Sequence, residues 1–170
     1  SDNAYFDLEK LKDIVDVSKE KEQTILDMVT GKTWDTALAE EIISQNLQAF
    51  EIFNIAANKQ KFQNPIGADP KNITPYMTVT PVSSWRTMAK LSALRATYLT
   101  KQSRYNEAID EALNSVRIGQ KIQESQITAV EYLTAIEMKK QGWLWTEEYI
   151  WHKKNSYPGK WPNRFRDSLE

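Results

Sequence analysis

One histidine, no cysteine and 23 acidic side chains are the material from which any chemistry in this chain would be built. His152 alone would have to serve as general base in a Ser-His-Asp arrangement, and no nucleophile-elbow motif accompanies it. Glu148 and His152 stand four residues apart, a helical spacing that can share a metal ion. Helical di-metal sites, however, draw on several inward carboxylates and on Glu-x-x-His pairs, and position 149, where that glutamate would sit, is Tyr149. The neighbouring acids Glu40–Glu41, Asp110–Glu111 and Glu147–Glu148 point about 100° apart on a helix, so none is a ready acid/base pair. No glycine-rich phosphate loop is present. These residues point to a protein without catalytic activity, metal or cofactor.

Two other groups of side chains invite binding rather than catalysis. Arg86 and Arg95 interrupt an otherwise apolar helical stretch. A buried guanidinium stays charged and needs a partner, and Glu131 and Glu137 on the last helix are the expected partners in a buried ion-pair cluster. Toward the C-terminus, Trp143, Trp145, Trp151 and Trp161 supply four of the six tryptophans. From Trp151 onward, Lys153, Lys154, Lys160, Arg164 and Arg166 interleave with Tyr157, Trp161 and Phe165. Aromatic and basic residues in alternation suit an anionic membrane surface or a single nucleic-acid strand; they equally suit a tail whose rings fold back on the bundle. Trp151, Lys153, Lys154, Lys160, Trp161, Arg164 and Phe165 are therefore the candidate partner-binding residues.

The elements that would position these groups are helices. With 170 residues, five glycines and six prolines, the chain has room for one core and few turns. No run of about 18 apolar residues occurs. Charge is uneven: residues 1–60 carry 12 acidic and 6 basic side chains, residues 61–170 carry 11 and 16, a split that can hold the two parts together or steer a partner. Apolar residues at helical spacing predict a first helix over Asn3–Val17 and a second that Ser18 caps and Gly31 ends. A long third helix is expected from Thr33 to about Asn58, apolar on more than one face and hence central. Pro65, Pro70, Pro75 and Pro81 then forbid helix across a loop at about 61–81. Three more helices follow: Val82–Gln102, Tyr105 to about Glu124, and Thr128 to about Lys153, the last opened by the capping-box pair Thr128 and Glu131. Gly119 and Gly142 inside these helices imply close helix–helix approach, since glycine there costs about 1 kcal/mol relative to alanine. The reading is an all-α bundle of about six antiparallel helices, with residues 1–154 as the helical domain and 155–170 as an irregular basic-aromatic tail.

Ser103 and Arg104 leave so short a connection that the helices either side must be antiparallel neighbours. "SRYNEAIDEAL" resembles the turn and second helix of a tetratricopeptide repeat, with Tyr105, Ala108 and Ala112 at the aromatic and small positions. It departs from that pattern at Ser103, where glycine is usual, at Gln120, near the usual closing proline, and at Arg95, where leucine is usual. No second copy stands 34 residues away, so the likeness implies one hairpin and no array. More widely, "NAYFDL", "TWDTALAEEIISQNLQAF", "KFQNP", "MAKLSALRATYL" and "YNEAIDEALNSVRIGQKIQ" occur in an order similar to uncharacterised helix-rich bacterial proteins of planctomycete type. That resemblance implies a helical domain held outside the cytoplasm by an N-terminal membrane anchor, with Ser1 marking a piece that begins after it.

The expectation from the sequence is thus a non-catalytic interaction or scaffold domain whose partner is another protein. A hydrolase or sugar-processing domain whose carboxylates converge only in the fold is the first alternative. A peripheral binder of an anionic membrane or polymer is the second, and nucleic acid is disfavoured.

Overall fold

The structure, a computed structural model, describes residues 2–65, 81–125 and 128–156, with side chains up to Thr146. The described residues contain seven helices: α1 (Tyr5–Ile14), α2 (Lys19–Val29), α3 (Thr36–Gln45), α4 (Leu47–Asn58), α5 (Val82–Lys101), α6 (Tyr105–Glu124) and α7 (Ala129–Ser156). The only extended pairing among them is an isolated bridge between Asn3 and Lys61. No helix among the described residues is long and apolar enough to cross a membrane.

Local chemistry accounts for most boundaries. The Ser18 hydroxyl accepts from the Lys21 amide at 3.2 Å and opens α2. Its end is a Schellman turn: Lys32 N–H donates to Asp27 O at 2.9 Å and Gly31 N–H to Met28 O at 3.2 Å, with Gly31 at φ +75°, a region that glycine enters without strain. The same motif ends α5, where Arg104 N–H donates to Leu99 O and Ser103 N–H to Thr100 O, both at 2.9 Å. Here Ser103, at φ 64°, stands in the left-handed position. At the start of α7 the Glu131 amide donates to the Thr128 hydroxyl at 3.3 Å and the Thr128 amide to Glu131 Oε2 at 2.9 Å, a reciprocal capping box.

The expected third helix is in fact two. Asn46 (φ −114°, ψ 19°) breaks it and serves as the C-cap of α3. Its buried amide donates to Ile42 O at 3.0 Å and accepts from the Asp16 amide at 2.9 Å. An asparagine side chain thus competes with the helix ladder and ties the break to the α1–α2 connection. This break raises the helix count from about six to seven. Nor is this stretch central: Leu47 and Ile55 lie exposed, whereas α5 packs against all six other helices.

Apolar burial falls into two clusters. The larger draws on every helix and is rich in big side chains, with Leu8, Phe53, Trp85, Met88, Leu91 and Leu94 at 0 % exposure. Phe62, just past α4, stacks edge-on between Tyr5 and Trp85, both at 5.7 Å, and the Trp85 indole N–H donates to Leu8 O at 3.0 Å. The smaller cluster joins Ala96 and Leu99 of α5, Ala108, Ile109, Ala112, Leu113 and Val116 of α6, and Trp145 of α7. Both internal glycines lie where α6 and α7 pass each other. A Cβ on Gly142 would sit 2.7 Å from Ala112 O and from Val116 Cγ2, and one on Gly119 would sit 2.7 Å from Ala135 O. Close approach is what these glycines allow.

Candidate functional site

Where the two clusters meet, an open groove of about 470 Å³ runs along the surface. One wall is the end of α2 and the turn after it, from Met28 to Trp34; the opposite wall is Thr97, Thr100 and Lys101 of α5, and Trp145 of α7 closes it. The Schellman turn at Gly31 reverses the chain and places Trp34 immediately before Asp35, whose carboxylate accepts from the Leu38 amide at 3.0 Å as the N-cap of α3. Trp34 is fixed at its polar edge, the indole N–H donating to Thr36 Oγ1 at 2.9 Å. Trp145 donates its N–H to Thr97 Oγ1 at 3.1 Å.

The threonines of the wall are satisfied within α5. Thr97 donates to Ala93 O and Thr100 to Ala96 O, each at 2.9 Å. Two cations remain at the rim. Lys32 meets Asp27 at 3.1 Å, with 67 % of its side chain exposed. That hydrogen bond holds the exposed Asp27 carboxyl below its ordinary range. The Lys101 ammonium lies 4.7 Å above the Trp34 ring, a cation–π contact. No carboxylate or histidine is among the lining side chains described. Among the described residues, no group of three or more histidine, cysteine or acidic side chains gathers to hold a metal ion. The groove is therefore chemically an apolar, aromatic trough with positive charge at its edge.

The residues expected to form an ion-pair cluster are distributed differently. Arg86 meets Glu137 at 3.0 Å, with 39 % and 40 % of the two side chains exposed; the pair lies at the surface and is not a buried one. Arg95 turns to Glu111, 3.3 Å away on α6, and stacks 4.6 Å over the Phe50 ring. Glu111 is buried, and the Ser92 hydroxyl lies 2.9 Å from its Oε1. Burial pushes the Glu111 carboxyl up, opposed by Arg95 and by the Ser92 hydrogen bond. Glu131, at 0 % exposure, is engaged at the head of α7: it accepts from the Asn64 amide at 2.7 Å and caps Thr128. The Asn64 side-chain amide and the Thr128 amide and hydroxyl all donate to this carboxylate.

A third polar contact fastens the N-terminal helix. Asp7 pairs with Lys59 at the end of α4 and with Lys10 at 3.2 Å. Burial acts to raise its pKa, but the two ammonium groups outweigh it and hold the carboxyl below its ordinary value.

Of the expected partner-binding residues, Trp151, Lys153 and Lys154 belong to the last turns of α7, whose side chains are not described. Lys160, Trp161, Arg164 and Phe165 lie outside the described residues, as do His152 as a side chain and most of the proline-bearing loop, residues 66–80. The groove itself escaped sequence reasoning because Trp34, Lys101 and Trp145 come from three separate elements. The available signal was slight: a tryptophan directly ahead of an N-cap aspartate, at a turn where polar residues are usual. No family model, curated protein or solved structure matches this chain.

Proposed function

We propose that this chain is a non-catalytic interaction domain and that the groove bounded by Trp34, Lys101 and Trp145 is where it receives another protein. The observation that carries this reading is the composition of the lining. Two indoles anchored by threonine hydroxyls give large, rigid apolar surface, the kind that dominates recognition sites. No carboxylate or histidine stands in the described lining to act as general acid or base, and the Thr97 and Thr100 hydroxyls are engaged with α5 carbonyls. Fixed side chains also lower the entropy lost on docking. The short α5–α6 hairpin, with Ala108 and Ala112 buried against its neighbours, supplies the repeat-like scaffold that holds α5 as the groove's wall. The extracytoplasmic, anchored setting implied by the sequence resemblance belongs to the same proposal.

The test is selection of displayed random peptides on the folded domain, followed by measurement of each winner against Trp34→Ala and Thr100→Trp, the second of which fills the groove. Peptides that bind the parent and lose at least about tenfold in affinity, roughly 1.4 kcal/mol, with both variants support the groove. Winners insensitive to both would place recognition elsewhere and overturn the reading.

A further inference from the structure

The charge at the rim narrows the kind of partner. Lys101 has no carboxylate partner among the described residues: its ammonium is held by the Trp34 ring. Lys32 is paired, among the described residues, with Asp27 on its own turn and remains 67 % exposed. Beneath them the trough offers indole and aliphatic surface. The Thr97 and Thr100 hydroxyls on its α5 wall already donate to α5 carbonyls, so they add little demand for a polar ligand. An apolar side chain entering the trough would leave its flanking backbone and neighbours beside the two ammonium groups.

We infer that the groove takes an acidic peptide segment, one aromatic or aliphatic side chain seated between Trp34 and Trp145 and a neighbouring Asp or Glu carboxylate received by Lys101. This rests on the reading of the groove as a docking site and adds its chemical preference. Lys101 is the specificity-determining residue because a carboxylate can approach its ammonium while the ring still lies against the opposite side; the ring attracts the cation without neutralising it. A lysine-flanked segment would meet like charge at the same place, and a neutral one would gain the apolar contact alone.

Three fluorescein-labelled peptides with one central tryptophan, flanked by glutamate, by glutamine or by lysine, discriminate these cases by anisotropy. The glutamate peptide is expected to bind about fivefold tighter than the glutamine peptide at low salt, the worth of a favourable exposed ion pair. That advantage should shrink between about 0.1 M and about 1 M salt as screening shortens from about 10 Å to about 3 Å. Lys101→Gln should abolish the glutamate peptide's advantage over the glutamine peptide, whatever it does to the affinity the two share, and Lys101→Arg should preserve that advantage. Equal binding of all three, still lost with Trp34→Ala and Thr100→Trp, would overturn the acidic preference and keep the docking site. Binding indifferent to those two variants, or no binding by any of the three, would overturn both. Lys101-dependent attachment to vesicles containing phosphatidylserine, with no peptide preference, would assign the rim to a lipid surface and overturn the peptide proposal.

Discussion

The two apolar clusters share α5, α6 and α7 but are built by different means. In the larger, bulky side chains interlock: Trp85, Phe62 and Tyr5 stack edge to face in sequence, and Phe53 and Leu8 fill the space around them. In the smaller, Ala96, Ala108 and Ala112 with Gly142 bring backbones together, and Trp145 is the one buried ring, with Trp143 partly buried against the cluster. Large side chains bury area and leave helices apart; small ones give up area and let helices touch. At the border the two modes do not mesh. Trp34, partly buried on the rim of the first cluster, and Trp145, from the second, face a trough that neither fills. The groove lies along that border.

Breaking the first cluster should have the largest effect. Trp85→Ala removes a fully buried ring and leaves the Leu8 carbonyl without its indole donor. The expected loss is about 3–5 kcal/mol by urea unfolding, and Trp85→Phe should recover most of the packing but not the hydrogen bond. The second cluster should respond in the opposite sense, to addition rather than removal. Gly142→Ala gains up to about 1 kcal/mol of helix propensity, yet its methyl would press on Ala112 O and Val116. Overpacking at about 1–3 kcal/mol should prevail. For a chain of this size each kcal/mol lowers the melting midpoint by roughly 2–4 °C. A stable Gly142→Ala variant would show that α6 and α7 are free to move apart, and the contrast between the clusters would dissolve.

Much of this was legible from the chain because it is local. The capping box at Thr128, the Gly31 stop, the α5–α6 turn and the interior glycines each follow from a few adjacent residues. Asn46 was misread because a run of apolar residues continues past it; only its bonds to Asp16, thirty positions away, make the break worthwhile. The Arg95 partner was missed for a reason that geometry exposes afterwards. Arg95 and Glu111 each lie eight residues from Ser103, so an antiparallel hairpin turning at Ser103 sets them opposite each other. Glu131, assigned to the arginines, is buried at the head of α7 by its own cap. Trp34, Lys101 and Trp145 gave no such register to read, since three separate elements bring them together.

The ion pairs sharpen the comparison through pH. Asp7 fastens α1 to the end of α4 beside the larger cluster, and its carboxyl is held low by Lys59 and Lys10 against the opposing effect of burial. In the unfolded chain an aspartate titrates near about 3.9. The stabilisation is therefore complete above that value and is lost as pH falls through the lower folded value. Asp7→Asn should cost about 1.5–3 kcal/mol at neutral pH, the range of hydrogen bonds to charged groups. The deficit should close on acidification, when the parent loses the same charge. A deficit that persists unchanged below the folded pKa would make Asp7 a packing residue rather than an ionic one.

Glu111, in the hairpin, should behave with the reverse sign and the smallest net effect. Burial raises its pKa, and Arg95 and Ser92 only partly offset that. The folded protein thus holds a proton at pH values where the unfolded chain has already lost it, and stability contributed by this group falls as pH rises from the unfolded value toward the folded one. Glu111→Gln keeps an oxygen for the Ser92 hydroxyl and removes the buried charge. The danger in such a change is an orphaned cation, which in a deep pair costs about 3–5 kcal/mol. Arg95 is one-third exposed and lies over the Phe50 ring, so water and the ring can take up what the carboxylate gave. The expected result is a change within about 1 kcal/mol at neutral pH. The stability of Glu111→Gln relative to the parent should improve as pH rises through that window, which is opposite to the Asp7→Asn trend. A loss near the upper figure at neutral pH would mean that Arg95 depends on the charge after all, and that an ion pair adds to apolar packing in holding the α5–α6 hairpin.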